Sequence, residues 1–297
     1  MTVEPTRSGD GCTMRLMLAD AREVEVEGQR VRYYTAGAGP PVVLLHGLGG
    51  AAVVWYRNVR ALADSYTVYV PELWGAGRTP VRGRSMPETV ARFVAGLLDA
   101  VGAASAHLVG GSLGGIVAGF TAIRAPERVR SLTLVGTAGL SHRIAPSQRL
   151  LSLPLVGEAL LLRPSRSRVS GMLKLLIRRW DADAERLVDE LYALRCEPGV
   201  PRQMLEALRS GVDVFGVKRS VRLLPALCDV RVPSLLVWGS RDPLFPLSDA
   251  RHAAEVLHDT SLHVVEGSGH WPYLEFSAEF NHVLLAFLAR SEQAAAS

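Results

Sequence analysis

The chain has 297 residues, 48% hydrophobic and 21% charged, a balance that fits an ordinary globular protein and excludes disordered and fibrous classes. Its net charge of +4 comes from 33 Lys and Arg against 29 Asp and Glu, scattered among one another, with no basic run interleaved with aromatics. No nucleic-acid partner is therefore expected. Cys12, Cys196 and Cys228 are far apart and odd in number, which fits neither a disulfide framework nor a zinc site. They point to a reducing, cytoplasmic setting. The first residues lack the apolar run of a signal peptide. The most apolar stretch, LLSLPLVGEALLL (150–162), is too short to span a bilayer and contains Pro154 and Glu158, so no stable membrane insertion is expected.

In chain order, residues 1–22 form a polar tail. EVEVEG and RVRYYTAG then alternate with period two around Gly28, which predicts an antiparallel hairpin. PVVLLHG (41–47) is different: continuously apolar, β-branched and short, as a strand buried on both faces of a parallel sheet must be. The same texture recurs in YTVYVPEL (66–73), AHLVGG (106–111), VRSLTLVG (129–136), SLLVWG (234–239) and SLHVVEG (261–267). Helical spacing fills the intervals, as in VVWYRNVRALAD, PETVARFVAGLLDAVG, SDARHAAEVLHD and EFSAEFNHVLLAFLAR. Alternating strands and helices predict an α/β fold, a mainly parallel sheet with helices on both faces.

The alternation breaks over residues 140–220, where RVSGMLKLLIRRW, AERLVDELYALRC and PRQMLEALRSGV are amphipathic and no buried strand stands out. The expected organisation is a core of residues 23–139 and 221–297 with a helical cap over 140–220, inserted after the sixth strand. Ordinary packing within the cap is expected for residues 150–162.

The chemistry starts at VGGSLGGI, where Gly110, Ser112 and Gly114 form G-x-S-x-G. The motif alone is weak. Here it closes a buried strand and opens a helix, the setting of a nucleophile elbow. A serine hydroxyl needs a base and a group to orient that base. His270, in EGSGHWP after the last strand, is the candidate base. Asp242, in VWGSRDPLFP after the preceding strand, is the candidate acid, with Asp249 assigned as the cap of the next helix. The glycine-rich LLHGLGG (44–50) lacks the lysine of a phosphate loop and is expected to form an oxyanion hole through the backbone N–H groups of Leu48 and Leu113. His46 is expected to brace that loop. No metal or cofactor is implied.

With these motifs in the order Ser112, Asp242, His270, the chain resembles the serine-nucleophile branch of the α/β-hydrolase-fold superfamily over roughly residues 23–139 and 221–290. VPELWGAGRTP resembles the family's D-x-x-G-x-G-x-S stretch, with Glu72 for the aspartate and Thr79 for the serine. The resemblance implies the α/β-hydrolase fold and a Ser-His-Asp hydrolase without cofactor. Branches with an aspartate nucleophile are set aside by Ser112.

Two substrate classes remain. GSGHWPYLEFSAEFN resembles the H-W-x-x-x-E end of the carbon–carbon bond hydrolases that cleave ring-fission products, and Arg195 matches the cap arginine that holds substrate carboxylate there. Against it, Gly111 stands where that family favours asparagine, HGLGG lacks its proline, and an arginine-rich cap suggests a solvated helix face for Arg195. The expectation is therefore a carboxylesterase or lactonase acting through an acyl-enzyme on a small to medium apolar ester or lactone. Carbon–carbon hydrolysis is the alternative, and a ligand receptor or non-hydrolytic enzyme a more distant one. Trp271, Phe245 and Arg195 are the candidate substrate-binding residues, with Trp74 and Trp180 as further aromatics for a pocket. A small-molecule partner is expected, and a homodimer is compatible with the sequence.

Overall fold

The computed structural model describes residues 21–73 and 86–296. Residues 1–20 lie outside it, with most of the expected tail and Cys12, as do Trp74 and Thr79. The alternating segments form the expected hairpin, β1 (Ala21–Val26) and β2 (Gln29–Ala36), antiparallel about Gly28. The apolar runs become β3 (Pro41–Leu45), β4 (Thr67–Pro71), β5 (Ala106–Gly111) and β6 (Val129–Val135). After a two-residue hairpin, β7 (Val212–Asp213) and β8 (Gly216–Val217), they continue as β9 (Ser234–Gly239) and β10 (Thr260–Val265).

Among the described residues the strands make one eight-stranded sheet, ordered β1-β2-β4-β3-β5-β6-β9-β10. It is antiparallel only where β2 meets β1 and β4. The other pairings are parallel. Every residue of β5 and β9 is buried, because helices cover both faces of a parallel sheet and leave no solvated side to alternate toward.

Those helices are α1 (Tyr56–Ala63), α2 (Met86–Ala100), α3 (Leu113–Arg124), α10 (Leu247–Val256), α11 (Pro272–Glu275) and α12 (Ser277–Ala296). Between β6 and β9 the chain leaves the sheet for α4 (Pro146–Ser152), α5 (Val156–Leu161), α6 (Arg166–Leu176), α7 (Ala182–Arg195), α8 (Val200–Gly211) and the short α9 (Leu224–Leu227). Three of these follow the amphipathic stretches of the sequence. The segment 150–162 does not pack as expected. Leu155 is 81% and Leu150 51% exposed, while Leu151, Leu160 and Leu161 turn toward the cavity beneath. Trp180 also departs from expectation, since it lies at the surface with the Lys174 ammonium 5.1 Å above its ring.

Candidate active site

β5 ends and α3 begins at Ser112, whose φ of 55° and ψ of −116° place a non-glycine residue in strained backbone. Such a conformation costs about 1–3 kcal/mol and persists only where its surroundings enforce it. The glycines are that surrounding. A Cβ on Gly114 would lie 2.1 Å from the Leu45 carbonyl oxygen, and one on Gly110 would lie 2.2 Å from the Gly114 carbonyl oxygen. The Ser112 N–H donates to Val135 O at 2.9 Å, tying the turn to β6. Gly114→Ala should therefore lower the urea midpoint of unfolding, because its methyl meets backbone rather than a side chain that can rotate away. Overpacking of this kind costs about 1–3 kcal/mol or more.

The His270 loop follows β10 and the Asp242 loop follows β9, so adjacent parallel strands deliver both to one sheet edge. Asp242 Oδ2 lies 2.8 Å from His270 Nδ1, with both side chains almost wholly buried. The other oxygen, Oδ1, accepts the backbone N–H groups of Leu244 and Phe245 at 2.8 and 3.2 Å. A carboxylate held this way accepts a hydrogen bond from Nδ1–H, which keeps the proton on Nδ1 and leaves Nε2 free to act as a base. The Trp238 indole N–H pins the same loop through Phe245 O at 3.1 Å.

Asp249 faces elsewhere. The N-cap of α10 is Pro246, and Asp249 accepts from Ser141 Oγ at 2.5 Å and pairs with Arg143. The helix-cap role expected for it is corrected accordingly.

The loop after β3 lies directly against the serine. A Cβ on Gly47 would stand 3.0 Å from Ser112 Cβ and 3.6 Å from its Oγ. His46 braces this loop from a fully buried position. Its Nε2 accepts the Leu73 N–H at 3.0 Å, which leaves Nδ1 as the donor to Gly47 O at 2.9 Å. Leu48, Leu113, Ser112, His270, Phe245 and Trp271 all line one cavity of about 350 Å³.

Arg195 lines it too, which overturns the expectation of a solvated helix face. It is only 8% exposed. Its Nη2 reaches Met172 Sδ at 2.9 Å and Gly49 O at 3.4 Å, while Nε has no hydrogen-bond partner among the described residues. No described carboxylate pairs with it. Burial pushes its pKa down to about 10, so the guanidinium still carries its charge at neutral pH. An uncompensated buried cation is costly, and in a cavity it marks a place for an anion.

Two neighbours of the site lie in the H-W-x-x-x-E stretch, but sequence reasoning assigned them no role. The Tyr273 ring stacks on Trp55 at 4.1 Å and fills the space beside Gly111, where a Cβ would meet its Cε1 at 3.2 Å and its hydroxyl at 3.6 Å. Burial pushes the Tyr273 phenol well above its ordinary pKa. Gly111 thus accommodates an aromatic side chain from the histidine loop. The second is Glu275, buried behind that loop.

A family model for the alpha/beta hydrolase fold matches residues 40–168. A 2-hydroxy-6-oxononadienedioate/2-hydroxy-6-oxononatrienedioate hydrolase of Burkholderia vietnamiensis is 33% identical over 274 residues, which cover 88% of this chain and 91% of that protein. The chain belongs to the α/β-hydrolase-fold family. It is a hydrolase on that fold. A 2-hydroxy-6-oxo-6-phenylhexa-2,4-dienoate hydrolase of Comamonas testosteroni is 30% identical over 284 residues, covering 91% and 95% of the two chains. Among solved structures, a meta-cleavage product hydrolase from Pseudomonas fluorescens aligns with TM-score 0.76 and 25% identity, over 93% of this chain and 99% of that one.

These relatives correct the expectation of an ester or lactone hydrolase, because they are named as hydrolases of 2-hydroxy-6-oxo dienoates and of meta-cleavage products. That expectation weighs Gly111, the missing proline of HGLGG and the solvated placing of Arg195 against that class. The relatives outweigh the proline, which no described contact explains. The structure answers the other two, Gly111 and Arg195. The first is explained by Tyr273, and the second is not what the fold does with Arg195.

Proposed function

We propose that the chain is a carbon–carbon bond hydrolase for vinylogous diketones, 2-hydroxy-6-oxo-dienoates of the kind named for its relatives. The observation that carries this reading is Arg195, a buried cation without a carboxylate partner among the described residues, in the cavity shared by Ser112 and His270. An ester of an apolar acid and alcohol offers it nothing. A dienoate offers a carboxylate at one end and a ketone several bonds away. Ile144, Leu151, Leu161, Leu176 and Val212 give the wall an apolar stretch that suits the acyl part of the substrate, while Gln148 and Arg168 are its other polar members.

In this reading the dienol first ketonises, gaining a proton at C5, with Arg195 holding the C1 carboxylate. His270 Nε2 takes the Ser112 proton as Oγ attacks the C6 carbonyl, and Asp242 stabilises the resulting imidazolium. The Leu48 and Leu113 N–H groups receive the oxyanion. Collapse breaks C5–C6, the electron pair moving through C3=C4 onto the C2 ketone oxygen. The dienolate takes a proton and leaves. Water, activated by His270, then releases the acyl group as a carboxylic acid.

Arg195→Ala tests the assignment. With 2-hydroxy-6-oxo-6-phenylhexa-2,4-dienoate as probe, KM should rise about ten- to a hundredfold, the worth of a charge-assisted hydrogen bond of about 1.5–3 kcal/mol. A neutral p-nitrophenyl ester should respond little. Equal, small effects on both substrates would remove Arg195 from the site.

A further inference from the structure

The loop that carries His270 is held from behind by a carboxylate that has no part in the reaction above. Glu275, at the end of α11, is 6% exposed. Its Oε1 accepts the Ser268 hydroxyl at 3.0 Å and the Gly269 N–H at 2.8 Å. Its Oε2 accepts the backbone N–H groups of Arg178 and, at 3.1 Å, Arg179. Four donors from two separate chain segments therefore meet on one buried anion. The first segment is the His270 loop. The second is the chain leaving α6, the helix that places Met172, Leu175 and Leu176 in the cavity wall.

The two segments also touch directly. The His270 N–H donates to Leu176 O at 2.7 Å, and a Cβ on Gly269 would come within 2.2 Å of that same oxygen. The Asp242 loop joins them, since the Arg241 N–H donates to Ser268 O at 2.9 Å and Arg178 Nη2 reaches Arg241 O at 3.4 Å. Charge-assisted bonds to backbone N–H groups are stronger than neutral ones, so this carboxylate is the strongest link in the cluster.

We propose that Glu275 is a positioning residue. It locks the His270 loop and the end of the wall helix α6 into one unit, so that the base and the substrate-facing wall keep a fixed relation. It acts through His270 and never touches substrate. The proposal rests on Ser112 and His270 forming the reacting pair.

Glu275→Gln keeps the shape but turns an NH2 group toward backbone N–H donors, so at least one of the four bonds becomes a repulsion. Two measurements read the result. The first is the rate at which a fluorophosphonate labels Ser112, which needs the base but no cap contact with a substrate. The second is amide hydrogen exchange in residues 176–180 and 267–271. We expect a folded variant, labelling slowed about ten- to a hundredfold, as misalignment of a catalytic group produces, and exchange rising together in both segments but not in β5 or β9.

Glu292→Ala is the control for stability alone. Glu292 bonds His107 and Arg130, away from this cluster, and its loss should lower Tm without slowing labelling. Labelling of Glu275→Gln within twofold of wild type, or exchange rising in only one segment, overturns the proposal. Failure of the wild type itself to label at Ser112 would instead sink the reacting pair, and the exchange measurement still decides whether the staple exists.

Discussion

Ser112→Ala should fold like the wild type and lose nearly all turnover. The hydroxyl is not needed to hold the elbow: the Ser112 backbone N–H bonds Val135 O and its carbonyl accepts the Gly115 N–H at 3.0 Å, whatever the side chain. Alanine in the same strained φ, ψ keeps the turn. What disappears is the nucleophile, and with it a kcat factor of about 10⁴–10⁶, the range seen when one member of such a unit is removed. Single-turnover assays with the 6-phenyl dienoate, beside a thermal melt, check both halves. A folded alanine variant turning over at near wild-type rate would rule out Ser112 as nucleophile.

Asp242→Asn should cost nearly as much, for a reason visible in the hydrogen bonds. Oδ1 of Asp242 accepts two backbone N–H groups and must remain an oxygen, so the asparagine amide nitrogen is forced toward His270. Facing a donor, Nδ1 becomes the acceptor and the proton moves to Nε2. The imidazole is then in the wrong tautomer to accept the serine proton. A kcat loss of about 10⁴ with little change in KM is expected. Asp249→Asn should leave kcat near wild type, since that carboxylate serves Ser141 and Arg143. The reverse pattern would transfer the acid role to Asp249.

The sheet was legible because strands covered on both faces leave uninterrupted apolar runs, and AHLVGG and SLLVWG match their strands residue for residue. The loops carrying Ser112, Asp242 and His270 were legible for a related reason: glycines and prolines mark where the chain leaves a strand. Arg195 was misjudged from composition, by counting the arginines around it. Its register held better information. Ala184, Leu187, Val188, Leu191 and Leu194 form the buried stripe of α7, and helical spacing puts Arg195 on that same face.

Tyr273 and Glu275 were not legible in their roles, because contacts with Gly111 and with the end of α6 join residues about 160 and 100 positions away in the chain. The exposed Leu150 and Leu155 show the converse. A leucine-rich segment says nothing of which leucines find a partner when its helices are as short as α4 and α5.

The most direct test of the central claim uses the unmodified enzyme. The 6-phenyl dienoate is mixed with the protein, loss of the conjugated chromophore is followed, and the products are identified by mass. The account predicts consumption of one water per turnover, with benzoate and 2-hydroxypenta-2,4-dienoate formed in equal amounts. It also predicts a kcat/KM at least about tenfold above that for a p-nitrophenyl ester, given the carboxylate that only the dienoate presents to Arg195. Rapid ester turnover with the dienoate left intact would contradict it.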